Sequence, residues 1–139
     1  MAEQLRDAYL LDTNIWLERF LEQERSAEVG RFLAQTPSEQ LCLTDFSFHS
    51  IGVVLTRLHR WEALLQFVQD AFIEGAVVLI SLQPQDMVRL TEVMGEFKLD
   101  FDDAYQYLAA EKYDVTLVSF DADFDRTGRR RMTPAELLS

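Results

Sequence analysis

Short apolar runs alternate with helical patterns along the chain. Three runs predict buried strands, at residues 8–11, 77–81 and 115–120, and the last has the β-branched content that strands favour. Apolar residues recur three and four positions apart in the segments between and after them, which predicts helices at residues 26–35, 46–58, 61–72, 84–97, 103–113 and 134–138. Strands separated by helices are typical of a mainly parallel sheet that is covered on both faces. The pattern therefore predicts a three-layer α/β/α domain.

The length fits one such domain. A chain of 139 residues hides about two-thirds of its extended surface on folding, which is enough for one hydrophobic core. Gly and Pro are scattered, and no linker, repeat or low-complexity segment interrupts the pattern. We predict a single domain over residues 1–139.

Charge and cysteine content exclude several classes of protein. The 24 acidic and 13 basic side chains give a net charge of -11, which argues against nucleic-acid binding through diffuse positive charge. The single cysteine, Cys42, excludes an internal disulfide and a multi-thiolate metal site. Apolar stretches are far shorter than the ~20 residues that span a bilayer, and acidic residues stand at the start of the chain. We expect a soluble, cytoplasmic protein with no membrane association.

Three aspartates are predicted to meet at one edge of the sheet. Asp12 and Asp121 each follow a predicted strand, and parallel strands end at the same edge. The helix at residues 103–113 reaches the last strand through one residue, so it runs antiparallel to that strand and begins near the same edge. Asp103 should therefore lie beside the other two, with Asp102, Asp123 and Asp125 close by.

Converging carboxylates repel one another, and a divalent cation is the simplest compensation. Oxygen ligands suit Mg²⁺ or Mn²⁺, and both histidines are distant in sequence from these acids, so zinc is less suited. Such a cation could assist hydrolysis of a phosphodiester. The alternative is that these aspartates only cap helices or lie in solvated loops.

The motifs around these acids resemble those of the PIN domain family, in particular the small VapC-type toxin ribonucleases of bacterial toxin–antitoxin pairs. Leu10-Leu-Asp-Thr-Asn14 is similar to the family's opening motif, Asp103-Ala104 to its central motif, and the segment Val118-Ser-Phe-Asp-Ala-Asp-Phe124 to its closing motif. The resemblance covers almost the whole chain.

The resemblance implies an endoribonuclease that depends on Mg²⁺ or Mn²⁺. It implies that Asp12, Asp103 and Asp121 hold the metal, that Asp123 supports catalysis, and that Thr13 and Asn14 steady the site by hydrogen bonds. RNA would be the substrate. An antitoxin protein and a second copy of the chain are the expected protein partners.

One position departs from the family pattern. The family usually has a Glu in the helix after the segment similar to residues 41–50, but this chain has no Glu between Glu39 and Glu62. His49, Ser50 or Asp45 could replace it: His49 through nitrogen, Ser50 by holding a metal-bound water, and Asp45 as the nearest carboxylate. An alternative function follows, namely a catalytically weak or inactive PIN-like module that only binds other proteins.

Two further groups of residues are candidates for binding. The densest basic cluster follows the closing motif, and Arg126, Arg129 and Arg130, with Arg131, could contact RNA phosphates or form a solvated turn. The aromatic residues Trp16, Phe20, Trp61 and Phe67 have helical spacing, which favours the core or a dimer surface over base stacking.

A phosphatase with an aspartate nucleophile also has an acid after its first strand. It would need a second carboxylate two residues later, where this chain has Asn14.

The negative charge is concentrated near the candidate site. Residues 100–125 contain eight acids and one base, a net seven of the eleven excess negative charges. A bound cation would neutralise part of this segment, so the acidity is compatible with a nuclease whose RNA contact is local.

Overall fold

A four-stranded parallel sheet forms the centre of the computed structural model, which describes residues 5–139. The strands are β1 (Tyr9–Leu11), β2 (Leu41–Thr44), β3 (Val78–Ile80) and β4 (Thr116–Val118), in the order β3-β2-β1-β4. In the register, Tyr9 lies opposite Leu41 on one side and Thr116 on the other. The predicted parallel α/β architecture is confirmed. Residues 1–4, the start of the predicted domain and of its acidic N-terminal segment, lie outside the described residues.

Helices cover both faces of the sheet. Their bounds are α1 (Thr13–Phe20), α2 (Ser26–Gln35), α3 (Asp45–Arg57), α4 (Trp61–Val68), α5 (Met87–Phe97), α6 (Phe101–Tyr113) and α7 (Pro134–Leu137). Successive strand residues point to opposite faces: Leu10 packs with the core under α5 and α6, and Leu11 with the core under α1 to α4. The three-layer prediction is therefore confirmed.

Strand β2 is absent from the predicted elements. Its four residues, Leu41–Thr44, are all buried, so the segment has no alternation of apolar and polar positions. Only residues 41–43 are apolar, a shorter run than those that predict the other strands, and such a run cannot be distinguished from part of a helix or loop. Helix α1 was also not delimited, although Asp12 was recognised as a possible helix cap.

Several predicted boundaries shift by a few residues. Helix α4 ends at Val68 and continues as a π-helical turn at Gln69–Ile73, where the sequence pattern predicts one uninterrupted helix. Helix α6 begins two residues before its predicted start because the carboxylate of Asp100 caps it by accepting a hydrogen bond from Asp103 N at 2.9 Å.

The connection from α6 to β4 sets the direction of both elements. Asp114 adopts the left-handed conformation with φ 53°, and Val115 N then bonds to the carbonyl of Ala110 at 3.0 Å, which closes the helix end. Helix α6 therefore runs antiparallel to β4, and its N-terminus lies at the edge of the sheet where the parallel strands end.

The four aromatic residues are divided between core and surface. Trp16 and Phe67 are buried, their ring centroids are 5.2 Å apart, and Phe20 packs against the same core. Trp61, in contrast, is 54% exposed. Trp16 lines a cavity of about 480 Å³, and within residues 5–139 its indole N–H is buried without a hydrogen-bond partner.

Cys42 is buried in β2, and burial raises the pKa of its thiol to about 12. The thiol therefore stays protonated and unreactive at neutral pH. None of the helices between residues 5 and 139 is both long and apolar enough to cross a bilayer.

Candidate metal centre

A pocket of about 320 Å³ opens at the carboxyl edge of the sheet. Asp12 reaches it from the end of β1, Asp103 from the first turn of α6, and Asp121 from the loop after β4. The other lining residues are Thr13, Asn14, Leu17, Phe46, Ser50, Asp102 and Gln106. Three aspartates that are 91 and 18 residues apart in sequence thus share one pocket.

Three carboxylates are close enough to share one cation. Asp103, Asp121 and Asp123 each offer an oxygen, and these oxygens all lie within 4.8 Å of one another. Local hydrogen bonds order the turn that carries Asp121 and Asp123, because Ser119 Oγ accepts from Asp121 N at 3.0 Å and Asp121 Oδ1 accepts from Asp123 N at 2.9 Å. The turn after β4 therefore presents two carboxylates towards the start of α6.

Asp12 occupies a different environment from these three acids. It is only 7% exposed, and its carboxylate accepts three hydrogen bonds. Oδ1 accepts from Thr13 N at 2.8 Å and from Gln106 Nε2 at 2.9 Å, and Oδ2 accepts from Ser119 Oγ at 2.7 Å. The side chain is thus held in one orientation by groups from three segments of the chain.

Thr13 and Asn14 extend this network. Thr13 Oγ1 donates to Ser47 Oγ at 2.8 Å, and Asn14 Nδ2 donates to Ser119 Oγ at 3.3 Å. Asn14 Oδ1 also accepts from Phe120 N at 3.3 Å. These bonds connect the start of α1 to α3 and to the end of β4.

The electrostatics of the pocket favour a bound cation. Desolvation, together with the neighbouring charges of Asp121 and Asp100, raises the pKa of Asp103 to about 7. Burial raises the pKa of Asp12 as well, although the three hydrogen bonds that its carboxylate accepts act to lower it. Without a cation, the site holds carboxylates that resist being charged together.

The chemistry of the donors fits a hard cation. Among the residues that the structure describes, neither His nor Cys lines the pocket, and its charged groups are all carboxylates. Oxygen donors of this kind suit Mg²⁺, Mn²⁺ or Ca²⁺ better than Zn²⁺.

The three candidates for the missing Glu are placed differently. Ser50 lines the acidic pocket, whereas His49 lines a separate, mostly apolar groove between α3 and α4. Asp45 accepts hydrogen bonds from Tyr105 Oη and Phe46 N, both at 2.8 Å. Ser50 is therefore the candidate that faces the acids.

The basic cluster is spread over two parts of the surface. Arg126 lies 3.5 Å from Asp123, beside the acids. Arg129 and Arg130 line another pocket with Val115 and Thr116, at the amino end of β4, and Arg129 pairs with Asp114 at 2.9 Å. The structure does not bring these two arginines to the acidic pocket.

Arg131 is held by protein groups on both sides of its guanidinium. It lies 3.2 Å from Asp125 and donates to the carbonyl of Ser119 at 3.2 Å. Its guanidinium therefore stabilises the loop that follows β4.

Sequence reasoning missed three residues of the polar network: Ser47, Gln106 and Ser119. Ser47 and Ser119 stand inside the motif segments but carry no charge or metal-binding group that would single them out. Gln106 lies one helical turn after Asp103, in a stretch of α6 that is otherwise mostly apolar. That spacing was the one signal that could have identified it.

Replacing Asp103 with Asn should stabilise the metal-free protein at pH 8 by about 1–2 kcal/mol, allowing for solvent screening. The pKa of about 7 in the folded protein lies above the ordinary value of 3.8 for an aspartate, so the folded state binds more protons between these values and loses stability as the pH rises through this range. The gain from Asp103→Asn should therefore shrink towards pH 5. Urea unfolding in EDTA at both pH values measures it.

Asp102→Asn is the matched control because it removes a neighbouring charge from the more exposed side of the same turn. An equal gain from both variants, or a gain from Asp103→Asn that does not depend on pH, would contradict this electrostatic interpretation.

Several solved structures have the same fold, with TM-scores of 0.70 or above. A toxin–antitoxin complex from Klebsiella pneumoniae matches with 19% identity and a TM-score of 0.72 over 91% of this chain and 98% of that chain. The Mycobacterium tuberculosis toxin VapC20, which cleaves the sarcin–ricin loop, matches with 17% identity and a TM-score of 0.75. The match covers 91% of this chain and 100% of that chain. FitAB bound to a DNA fragment matches with 18% identity and a TM-score of 0.70, over 91% of this chain and 94% of that chain. At these identities the likeness shows the fold alone.

Among curated proteins, no significantly similar sequence was found. The model of the PIN domain family, however, matches residues 9–130, which include every element from β1 to β4 and all the acids of the pocket. The chain belongs to the PIN domain family.

Proposed function

We propose that this protein is a metal-dependent endoribonuclease that hydrolyses RNA phosphodiester bonds, and that it is the toxin of a type II toxin–antitoxin pair. The observation that carries the proposal is the acidic pocket at the carboxyl edge of the sheet, where Asp103, Asp121 and Asp123 offer oxygens within 4.8 Å of one another beside the buried Asp12.

Asp12, Asp103 and Asp121 are the proposed residues that hold Mg²⁺ or Mn²⁺, with Asp123 in support. When bound, such a cation lowers the pKa of a water and neutralises charge on a phosphoryl oxygen. The protein's own part is to keep the carboxylates in place: Asp100 orients the first turn of α6, and Ser119 fixes the turn that carries Asp121. Thr13 and Asn14 hold the start of α1 against the pocket.

RNA contact in this proposal is local to the pocket. Arg126, next to Asp123, is the arginine placed to meet a phosphate there. Arg129 and Arg130 could contact RNA only if the strand extended to the amino end of β4. The strong negative charge elsewhere disfavours a long RNA footprint.

Structural neighbours support the toxin role and the partners. One is a toxin–antitoxin complex and another is a toxin that cleaves the sarcin–ricin loop. By analogy, we propose an antitoxin protein as partner, a homodimer as the assembly and the cytoplasm as the location.

A second candidate function is a catalytically weak or inactive PIN-like interaction module. Ser50 favours it, because a neutral hydroxyl lines the pocket where the family resemblance implies a carboxylate. With one ligand fewer, the cation would bind more weakly and a smaller fraction of the protein would be loaded at cellular Mg²⁺ concentrations.

Purified protein should bind Mn²⁺ and cleave structured RNA, and Asp12→Asn and Asp103→Asn should each abolish both properties, because each removes a proposed ligand. Calorimetry measures Mn²⁺ binding, and gel analysis of RNA with and without EDTA measures cleavage. Circular dichroism checks that the variants are folded.

Asp7→Asn is the control for these assays and should retain both properties, because Asp7 is exposed and precedes β1, at the edge of the sheet opposite the pocket. Its left-handed backbone, with φ 59°, is one that Asn also adopts. Mn²⁺ binding that persists in both ligand variants would refute the site. Binding without cleavage by the wild type would favour the interaction module instead.

Ser50→Glu should tighten Mn²⁺ binding about tenfold, because it restores a carboxylate on the pocket wall. The same change should lower the stability of the metal-free protein by adding another negative charge to the cluster. Calorimetry and urea unfolding in EDTA measure the two effects.

His49→Glu is the control, since it adds the same side chain one residue away, in the groove between α3 and α4. If His49→Glu tightened Mn²⁺ binding and Ser50→Glu did not, the missing carboxylate would belong at position 49. That result would contradict the assignment of the position to Ser50.

A further inference from the structure

Gln106 has a buried amide that lies beside the acidic pocket, at the margin of the core. It is 1% exposed and lies on α6 between the residues that pack against the sheet. Burying an amide costs free energy unless its donors and acceptor are satisfied. The buried amide of Gln106 therefore needs hydrogen-bond partners within the fold.

The amide of Gln106 makes three side-chain hydrogen bonds. Its Nε2 donates to Asp12 Oδ1 at 2.9 Å and to Ser47 Oγ at 2.8 Å, and its Oε1 accepts from Thr44 Oγ1 at 2.7 Å. Both N–H groups and one carbonyl lone pair are thus used. The three partners lie on different elements: the end of β1, the end of β2 and the first turn of α3.

These bonds have a consistent direction. Thr44 Oγ1 donates to Gln106, and Gln106 donates to Asp12, so the chain of donors ends on a carboxylate, which can only accept when ionised. Reversing the amide would place its oxygen against Asp12 Oδ1. The network therefore suits one orientation of Gln106, in which an N–H points at Asp12.

Two side chains orient the carboxylate of Asp12, and each donates a hydrogen bond to a different carboxylate oxygen. Gln106 bonds to Oδ1 and Ser119 bonds to Oδ2, so rotation of the carboxylate would break one bond or the other. Ser119 also accepts from Asp121 N, which connects the same contact to the acids of the pocket. The position of Asp12 on the pocket wall is thus set from α6 on one side and from the loop after β4 on the other.

We infer that Gln106 is a positioning residue of the proposed metal centre: its N–H fixes the carboxylate of Asp12 in the orientation that the cation requires, and it couples that carboxylate to β2 and α3 through Thr44 and Ser47. The inference rests on the proposed function. Groups that orient a metal ligand commonly change metal affinity 10- to 100-fold when they are removed.

Gln106→Met tests this inference because Met has a similar size and lacks the N–H groups. Calorimetry should show Mn²⁺ binding at least tenfold weaker than in the wild type. Gln106→Leu should have the same effect, since it also lacks the N–H groups and adds no carboxylate to the pocket.

Thr36→Val is the matched structural control. It removes a hydrogen bond of another buried threonine, from Thr36 Oγ1 to the carbonyl of Phe32 at 2.7 Å, which lies outside the network around Asp12. This variant should lose stability in urea unfolding while its Mn²⁺ affinity stays within about threefold of the wild type.

The outcomes separate the inference from the proposed function. No Mn²⁺ binding by the wild type would overturn the proposed function, and the inference with it. Normal binding by the wild type and by either Gln106 variant would overturn the inference alone. Equal losses of affinity in Gln106→Met and Thr36→Val, or failure of both Gln106 variants to fold, would make Gln106 a structural residue and would also overturn the inference.

Discussion

The buried carboxylate of Asp12 is the constraint on which the rest of the site depends. A charged group that is 7% exposed costs several kcal/mol to bury unless hydrogen bonds replace the lost water. Three donors meet that requirement, and they come from α1, from α6 and from the end of β4. Positioning one carboxylate therefore fixes how these elements meet at the edge of the sheet.

The remaining acids have no comparable set of donors. Asp103 is partly exposed beside Asp121 and Asp123, and its raised pKa reflects burial among like charges. Such an arrangement lowers the stability of the metal-free fold and is typical of functional sites rather than structural ones. A cation would relieve the repulsion, so the same cluster would link stability to metal binding.

The sequence predicted the sheet edge because a few strong signals agreed. Apolar runs before Asp12 and Asp121 marked strand ends, and the short connection at Asp114 fixed the direction of α6. Strand β2 is not predicted because only its first three residues are apolar, a shorter run than those at residues 8–11 and 77–80, and because all four are buried, so no alternation marks a strand. Ser50 could not be chosen over His49, since adjacent residues on a helix differ by about 100° in direction and only packing decides which one faces the pocket. The sequence does not predict the role of Gln106, because that role depends on hydrogen-bond partners 59 to 94 residues away.

The most direct test of the metal centre is anomalous X-ray scattering from crystals soaked in Mn²⁺. We predict a peak in the pocket at the carboxyl edge of the sheet, bonded to carboxylate oxygens of Asp103 and Asp121, while Gln106 and Ser119 keep their bonds to Asp12. A pocket without a peak at saturating Mn²⁺, or a peak bound only by acids elsewhere on the surface, would contradict the proposed centre.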